Sequence, residues 1–575
     1  MLETPTPYVE MNVTKGYEFT QGSGYTLPEY PFVAPAELST GQVHRHQVVI
    51  VGGGITGLTL ACSLARLGVK AVLLDEDNTV GVKGAASRGI CYTQKSLEIF
   101  DKLGIYSAIA KKGIQWSVGR TFAGTDEVYS FDLRHQSSFN LSSQPPFINI
   151  QQFYIEGYLV ERIQELGHVD LRWKSRVTAF EQNPDFALLT VETPAGSYQL
   201  EADYVIDASG CHTPFHQWVG ATKQTQRGDD RWCIADVRFS RHPPVERHTW
   251  IEAPFNENRA VWQHLMADNV WRIDYQMAPN ADPEEMSSLA HVRERLRLQF
   301  GNDVEIEIVW VGPYTYRSQC LDQLRVGRVF FMGDTAKVVS PFGARGGNTG
   351  VADADNLAWK LAAVLRGRAS PRLLDSYNDE RLEAAQENVR VTNRTTRFLR
   401  PADGMERIFR DAAIGLARQH LFARSLVNTG RMAVANTYTR SHICEGTTGG
   451  QSVQNAAFRW ADGSQGTVND LLLWAAGDLL VLVFGQLSGA AVQRLQQLAS
   501  HAPVRSVQVL GPDEHGQARE RVRDINARGI GHLQGACHVF GHAWALVRPD
   551  SYLAATGEAV DSDLIAAVEK SLGLH

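Results

Sequence analysis

The sequence predicts an α/β protein in which a parallel β-sheet is joined to a second, sheet-based unit and to a C-terminal α/β unit. Three observations lead to this fold class. A strand–glycine loop–helix–strand pattern begins at Gln47, a strand–glycine loop–helix pattern covers residues 327–366, and strands and helices alternate again over residues 456–575. Strands that alternate with helices pair in parallel, so the first two patterns predict one sheet covered by helices. A chain of 575 residues is also too long for one core.

The composition excludes several other classes of protein. The formal net charge is −7, so no basic excess points to a nucleic-acid partner. No apolar run approaches the ~20 residues that cross a bilayer, and the N-terminus lacks the pattern of a signal peptide. The seven cysteines are scattered without a CxxC pair, so we expect neither a disulfide framework nor a metal site. A reducing cytoplasm fits this cysteine usage best.

The first pattern centres on the glycine turn GGGITG, which contains Gly52, Gly54 and Gly57. The turn follows the buried strand VVIV and opens a helix that is expected to end at Gly68, and Asp75 ends the next strand. In this context the first glycine allows the tight turn, the second lets the backbone approach a pyrophosphate, and the third lets helix and strand pack closely. The helix N-terminus offers N–H groups to phosphates, and Asp75 can accept hydrogen bonds from a ribose. A plain tight turn is the alternative.

The second pattern begins with a buried strand that ends at Gly333 and Asp334. A loop containing Pro341 and four glycines follows, and a helix is expected from about Gly350. Asp334, at a strand end, suits a sugar-like chain of hydroxyl groups. The helix N-terminus is expected to present the backbone N–H groups of Gly346, Gly347 and Asn348. Such groups stabilise negative charge.

Together the two patterns resemble the flavoprotein aromatic hydroxylases of the para-hydroxybenzoate hydroxylase and phenol hydroxylase type, over about residues 45–400. In that family the first motif holds the ADP part of FAD, the Gly-Asp motif holds the ribityl side, and the proline–glycine loop touches the isoalloxazine. The segment SRGICYTQKSLEIFDKLGI resembles the family segment whose arginine, here Arg88, contacts FAD. The helix QQFYIEGYLVERI resembles the one whose glutamine, here Gln152, lies against the cofactor. The resemblance implies FAD contacts by Gly52, Gly54, Gly57, Asp75, Arg88, Gln152, Gly333, Asp334, Pro341, Gly346, Gly347 and Asn348.

Two positions depart from the family pattern. The third motif, DASGCHTPFH, has Ser209 and His216 where the family usually has an aspartate and an arginine. We expect reduction by a nicotinamide nucleotide to persist, with His216 as a hypothetical phosphate contact and a structural role for His216 as the alternative. The histidine that follows Gly-Asp in the family is Lys337 here, which is expected to change the charge near the cofactor.

The predicted domain organisation follows from the motifs and the resemblance. Residues 1–45 are either a disordered leader or an arm that packs on the protein or on a partner subunit, and a homodimer is an expectation. The C-terminal unit, with RPDSYLA at 548–554, resembles the thioredoxin-like domain of the phenol hydroxylase branch but lacks CxxC. The predicted units are a Rossmann-like FAD-binding domain at 46–225 and 319–400, an inserted sheet-based substrate domain at 226–318, a helical segment and linker at 401–455, and a thioredoxin-like domain at 456–575.

The resemblance implies an enzyme that uses NADPH or NADH to reduce FAD and then transfers a hydroxyl group from a flavin hydroperoxide, formed with O2, to a small aromatic substrate. That substrate is expected to be a phenol or to resemble hydroxybenzoate or phenylpropionate. The cofactor carries the difficult chemistry, and the protein supplies orientation and excludes water. A phenol must lose a proton, so a base or a charge-stabilising group should face the ring. His264, Tyr275 and Arg317 are the candidates, and for each the alternative is a purely structural role.

Two other functions remain open at this point. The same cofactor loops would serve an FAD oxidoreductase that acts on a non-phenolic substrate by epoxidation, Baeyer–Villiger insertion or reduction. The altered third motif would instead suit an FAD-bound protein with little turnover.

Overall fold

The structure is a computed structural model that describes residues 8–10, 18–19, 26–81, 89–136, 139–241, 243–430, 432–460, 463–510, 528–530 and 542–574. Three large β-sheets and the helices around them organise this part of the chain, which confirms the predicted α/β class. Within those ranges, no helix has both the length and the apolar character needed to cross a membrane.

The first sheet contains the predicted strand–helix–strand unit. Strand His44–Val51 pairs in parallel with Ala71–Leu74 on one side and with Gly196–Asp207 on the other. Helix Ile55–Arg66 connects the first two strands and packs against helix Gly346–Leu365. Because helices cover the sheet, the consecutive residues Val48, Val49 and Ile50 are all fully buried. The other strands of this sheet are Val169–Arg172, Arg176–Gln182, Ala187–Thr193, Arg325–Val326 and Val329–Phe331.

Three parallel strands of this sheet end at the same edge. Asp207 is the register partner of Val51 on one neighbouring strand and of Phe331 on the other. The glycine turn, the third motif and the Gly-Asp motif therefore leave the sheet side by side, although more than 270 residues separate the first from the last along the chain. The carboxyl ends of parallel strands are where α/β sheets bind ligands.

The second sheet is antiparallel apart from one pair of strands and is not confined to the predicted segment 226–318. Two strands that precede that segment, Val118–Ala123 and Asp126–Asp132, extend it beyond Arg247–Ala253. Helix Leu289–Phe300 packs on the apolar face of the sheet. The strand order is Glu18–Phe19, Ile306–Leu321, Lys223–Phe239, Trp271–Gln276, Arg259–Leu265, Arg247–Ala253, Val118–Ala123, Asp126–Asp132, and Lys337–Val338 also pairs with Ile306–Leu321.

The third sheet belongs to the C-terminal unit and mixes parallel and antiparallel pairs. Its strand order is Gln465–Thr467, Ala457–Trp460, Arg528–Ile530, Val504–Leu510, Leu479–Phe484, Trp544–Val547, Leu553–Gly557. Helices Val468–Ala475, Gly489–His501 and Ser562–Ser571 accompany it. The thioredoxin-like character of this unit stays a prediction.

The remaining elements connect the sheets. Helix Met405–Gln419 lies in the predicted helical segment 401–455, and the long helix Asp375–Leu399 precedes it. The other helices are Ala36–Thr40, Gln94–Leu103, Tyr106–Lys112, Gln152–Leu166, Phe215–Trp218 and Pro283–Met286. Two small sheets pair Tyr8–Glu10 with Thr26–Pro28, and Phe147–Asn149 with Cys91–Thr93 and Ile114–Gln115.

A buried group of charges joins the C-terminal unit to the helices of the first sheet. The guanidinium of Arg548 donates to both carboxylate oxygens of Glu380, at 2.5 and 2.9 Å, and its Nη2 lies 2.5 Å from Asp550. Lys360 Nζ donates to the same carboxylate at 2.8 Å. Burial alone would raise the pKa of Glu380, but Arg548 and Lys360 hold it well below its usual range. These ion pairs are inaccessible to solvent, so their members depend on one another.

We expect Arg548→Met to lower the free energy of unfolding by about 3–5 kcal/mol, because it leaves buried carboxylates without their main partner. The matched control is Arg368→Met, which removes a half-exposed arginine from its ion pair with Asp478 and should change stability by about 0–1 kcal/mol. Thermal and urea unfolding of the three proteins measures both effects. Equal stability of the two variants would contradict the role given to the buried group.

Candidate active site

Two positions of the glycine turn after strand His44–Val51 have no room for a side chain. Gly52 has φ +108°, and a Cβ there would lie 2.5 Å from the carbonyl oxygen of Ala208. A Cβ on Gly57 would lie 2.0 Å from the carbonyl oxygen of Gly52. A side chain at either position would therefore push the helix or the third motif away from the strand, as the sequence predicts for the first and third glycines.

Gly54 has a different reason to be glycine. Its backbone is extended, and a Cβ would meet only a carboxylate oxygen of Glu156, 4.0 Å away. The residue is exposed, it precedes the first turn of helix Ile55–Arg66, and no side chain caps that helix. The space beside Gly54 and the uncapped N–H groups are what an approaching pyrophosphate requires.

Asp75 directly follows strand Ala71–Leu74 and supports the glycine turn. One carboxylate oxygen accepts a hydrogen bond from the Gly53 N–H at 2.5 Å, and the other accepts one from the Asp77 N–H at 2.8 Å. The carboxylate also lines the cavity described below. Asp75 thus holds the turn in place, and its contact with a ribose stays a prediction.

Helix Gln152–Leu166 contributes a polar pair that the sequence analysis identified only in part. Gln152 is the first residue of this helix, and its Nε2 donates to Glu156 at 2.7 Å. Glu156 is buried one turn later, and burial raises its pKa to about 7 although the hydrogen bond from Gln152 opposes the shift. The sequence analysis could have found Glu156, because it is a carboxylate four residues after Gln152.

The Gly-Asp motif meets the glycine turn through close contacts. Gly333 has φ +60°, and a Cβ there would lie 2.6 Å from the hydroxyl oxygen of Thr56. A Cβ on Gly350 would lie 2.2 Å from the same hydroxyl oxygen. Asp334 is exposed at the end of this motif and lines the cavity. Arg88, by contrast, lies outside the described residues.

The proline–glycine loop leads into helix Gly346–Leu365, which begins four residues earlier than predicted. The sequence-based start at Gly350 was wrong because the glycines that discourage a helix here form its first turn. A Cβ on Gly346 or Gly347 would meet no atom within 4 Å, and Pro341 also faces the cavity. The first turn of a 20-residue helix is therefore accessible to a ligand.

Asn348 uses its side chain to hold the loop. Its Oδ1 accepts a hydrogen bond from the Thr93 N–H at 2.9 Å, and its Nδ2 donates to the carbonyl oxygens of Ala344 at 2.7 Å and Cys91 at 2.8 Å. The amide is therefore fully occupied by protein, which leaves the backbone N–H of this residue as the group for a cofactor contact.

The charge of Lys337 does not reach the cavity, which corrects the expectation from the sequence. Its ammonium group is fully buried and pairs with Asp353, which also accepts a hydrogen bond from Arg381 Nε at 2.6 Å. Burial alone would raise the pKa of Asp353, but Lys337 and Arg381 lower it. The Asp353 carboxylate lies between the two cations behind the Gly-Asp motif.

The third motif retains a carboxylate two residues before the expected position. Buried Asp207 accepts hydrogen bonds from the Ser209 hydroxyl at 2.5 Å and the Thr213 hydroxyl at 3.0 Å, and burial raises its pKa to about 6. His216 is not among the described residues that line the cavity, and burial lowers its pKa. The phosphate contact of His216 and its structural role therefore both stay predictions.

One cavity of about 350 Å³ connects all these loops with the second sheet. Gly54, Asp75 and Asp334 line one part of it. The other part is lined by aromatic and charged residues of the second sheet and neighbouring loops, namely Arg247, Trp262, His264, Arg272, Asp274, Tyr314, Tyr316, Phe342 and Met432.

Of the three predicted catalytic candidates, the structure places His264 on this wall. Tyr275 faces the opposite side of its strand, because side chains alternate and Arg272 and Asp274 occupy the cavity side. Its hydroxyl donates to Gln299 at 2.7 Å, so Tyr275 is not a candidate for contact with a substrate. Arg317 belongs to strand Ile306–Leu321, and its side chain is outside the described part of the chain.

His264 lies in a positively charged environment. It is the register partner of Arg272, and burial together with Arg247 and Arg272 lowers its pKa well below 6.5. Its Nδ1 has no hydrogen-bond partner among the residues that the structure describes. The imidazole is therefore neutral at physiological pH and can exchange hydrogen bonds with a ligand.

Comparison with known proteins agrees with this geometry. A family described as "FAD binding domain" matches residues 45–392. The chain is 27% identical over 443 residues to 3-(3-hydroxy-phenyl)propionate/3-hydroxycinnamic acid hydroxylase of Burkholderia cenocepacia, covering 75% of this chain and 78% of that protein. It is 31% identical over 351 residues to a flavin-dependent monooxygenase of Mycobacteroides abscessus, covering 59% of this chain and 71% of that protein.

The fold is also shared with a solved structure. The flavin-dependent monooxygenase PieE, crystallised with FAD and substrate, superimposes with a TM-score of 0.75 at 21% identity, over 92% of this chain and 99% of that one. With the family match over residues 45–392 and the 31% identity noted above, these findings identify the chain as a member of the FAD-binding-domain family of flavin-dependent monooxygenases.

Proposed function

We propose that this protein is an FAD-dependent monooxygenase that hydroxylates an aromatic substrate at the expense of NAD(P)H and O2. The observation that carries the proposal is the single cavity that joins the glycine turn and the Gly-Asp motif to an aromatic, charged wall of the second sheet. A cofactor held by the loops and a ring held by the wall would share this space. The relatives named as aromatic hydroxylases support the same assignment.

The residues present fit FAD. The open space at Gly54, the uncapped helix N-terminus behind it and the supported carboxylate of Asp75 suit the ADP part. Asp334 lines the cavity and is the proposed partner of the ribityl hydroxyls, and the helix N-terminus at Gly346 is the proposed site that stabilises negative charge on the flavin ring. When bound, the flavin supplies the redox chemistry with NAD(P)H and O2.

The second-sheet wall supplies the polar groups for a phenol. Neutral His264 can accept a hydrogen bond from the phenolic hydroxyl, and the positive charge of the neighbouring Arg272 favours the phenolate. Trp262, Tyr314 and Tyr316 line the cavity, contribute apolar ring surface and exclude water. His264 is therefore the proposed hydrogen-bond partner of the phenol.

The direct test measures NAD(P)H oxidation, oxygen uptake and hydroxylated product for the purified protein with a panel of substituted phenols and benzoates. We expect certain panel members to stimulate NAD(P)H oxidation and to yield product in proportion to oxygen consumed. Reduction without hydroxylation for every ring would favour a non-phenolic substrate, and no reduction by either nucleotide would favour a binding protein.

Gly54→Val should abolish FAD binding without harming the apoprotein. The backbone at Gly54 is compatible with any residue and the new side chain meets open space, so only the pyrophosphate loses its place. Flavin content and thermal unfolding of apoprotein measure the two effects. The control is Gly157→Val, at another glycine with open space around its Cβ, on helix Gln152–Leu166. Full FAD occupancy in Gly54→Val would contradict the placement of the pyrophosphate.

Asp334→Ala should weaken FAD binding by about 1.5–3 kcal/mol, the value of a hydrogen bond to a charged group. Because Asp334 is exposed in the cavity, the folding of the apoprotein should change little. FAD titration followed by fluorescence gives the dissociation constants. An unchanged constant would remove Asp334 from the site.

His264→Asn should lower the rate of hydroxylation by about 10- to 100-fold, because a hydrogen bond to a charged group is worth about 1.5–3 kcal/mol, while flavin reduction by NAD(P)H continues. Since the pKa of His264 is lowered, its neutral form is lost only as pH falls well below 6.5, and its titration should leave hydroxylation unaffected between pH 6.5 and 8. Stopped-flow reduction and product analysis separate the two steps. A variant with full product yield would show that His264 has a structural role.

A further inference from the structure

The N-terminal segment, residues 26–30, precedes the family match and packs on the first sheet. The match to the FAD-binding family begins at residue 45. Leu27 is 1% exposed and belongs to the hydrophobic core around that sheet. Tyr30 stacks on Trp173, with the ring centroids 4.6 Å apart and an angle of 12° between the ring planes. The segment is therefore fixed against the sheet although it lies outside the family match.

Loop 75–81 follows strand Ala71–Leu74 and lines one end of the cavity. Its lining residues are Asp75, Asp77, Thr79 and Gly81. The glycine turn is the proposed place of the pyrophosphate, and the helix N-terminus in the proline–glycine loop is the proposed place of the flavin ring. The loop that begins at Asp75 is therefore the place left for the adenosine part of FAD.

The N-terminal segment contacts this loop in the middle and at the end. The Tyr30 N–H donates to the carbonyl oxygen of Asn78 at 2.7 Å, and the side-chain amide of Asn78 donates to Glu29 at 2.8 Å. A Cβ on Gly81 would lie 3.5 Å from a methyl carbon of Leu27, so the segment also packs against the last residue of the loop. The conformation of the loop thus depends on the segment.

The first sheet holds the beginning of the same loop. The Ser175 N–H donates to the carbonyl oxygen of Asp75 at 2.7 Å, and the Lys174 N–H donates to that of Asp77 at 3.0 Å. Both donors directly follow Trp173, the ring on which the N-terminal segment stacks. One aromatic stack therefore connects the segment to the turn that supports the beginning of the loop.

We propose that the N-terminal segment belongs to the cofactor site and holds loop 75–81 in the conformation that binds the adenosine part of FAD. The proposal rests on the assignment of FAD to the cavity and adds a part of the chain that the family match does not contain. Neither Leu27 nor Tyr30 is among the described residues that line the cavity, so both are positioning residues that act through the loop. A loop that is already ordered binds more tightly, because binding does not have to order it.

Tyr30→Ala tests the proposal with ADP and FMN, which represent the two ends of the cofactor. Calorimetric titration of the full-length apoprotein should show ADP binding about 10-fold more weakly, as expected if about a tenth of the molecules keep the loop ordered. FMN lacks the adenosine part and should bind as it does to the unmodified protein. FAD should also leave the holoenzyme of this variant faster. Tyr30→Phe keeps the stacking ring and should restore the affinity for ADP.

The control is Phe180→Ala, which removes a ring that stacks on Trp218. Phe180 belongs to the same sheet but is not among the described residues that line the cavity, so the affinity for ADP should not change. An unchanged affinity for ADP in Tyr30→Ala would overturn the proposal. Equal losses for ADP and FMN would also overturn it, because they would indicate a general loss of structure.

Amide hydrogen exchange of the unmodified apoprotein decides the question even if Tyr30→Ala does not fold. ADP should slow exchange in the N-terminal segment as well as in loop 75–81, and FMN should leave the segment unchanged. Protection of the loop without the segment would overturn the proposal while the monooxygenase function stands. Absence of FAD from the unmodified holoenzyme would instead contradict that function and the proposal together.

Discussion

The parallel register of three strands is the constraint on which the rest of the site depends. Val51, Asp207 and Phe331 are aligned across neighbouring strands, so three loops from distant parts of the chain leave the sheet together. The close contacts of Gly52 with Ala208 and of Gly333 with Thr56 tie these loops into one unit. Any shift of one strand by a residue would separate the phosphate-binding turn from the Gly-Asp motif and would destroy the cofactor end of the cavity.

Electrostatics divides the cavity into two ends with different tasks. Two helix N-termini, behind Gly54 and at Gly346, offer backbone N–H groups and positive dipole ends to a negatively charged cofactor. At the second sheet the positive charge belongs to side chains, and neutral His264 lies among them. Charges that could interfere are paired away from the cavity, as Lys337 is with Asp353. The arrangement favours negative charge on both the flavin and the substrate.

The sequence was sufficient for features with strong local patterns. The glycine spacing at Gly52, Gly54 and Gly57 predicted the turn, the helix and the packing distances that the structure contains. The sequence could not predict which residues form the substrate wall, because Arg247 and His264 come together only through the register of two strands. Tyr275 was chosen without knowledge of which strand face meets the cavity. The helix start at Gly346 was missed because glycine has a low intrinsic helix propensity, which tertiary packing overrides here.

The central claim is that one cavity brings an FAD-dependent oxygen chemistry to an aromatic ring. Incubation of the purified enzyme with NAD(P)H, a phenolic substrate and ¹⁸O2, followed by mass spectrometry of the product, tests this claim most directly. We expect a hydroxylated ring that carries one oxygen atom from O2, with the other oxygen atom recovered in water. A product without ¹⁸O, or oxygen consumption that ends only in hydrogen peroxide for every aromatic substrate, would contradict it.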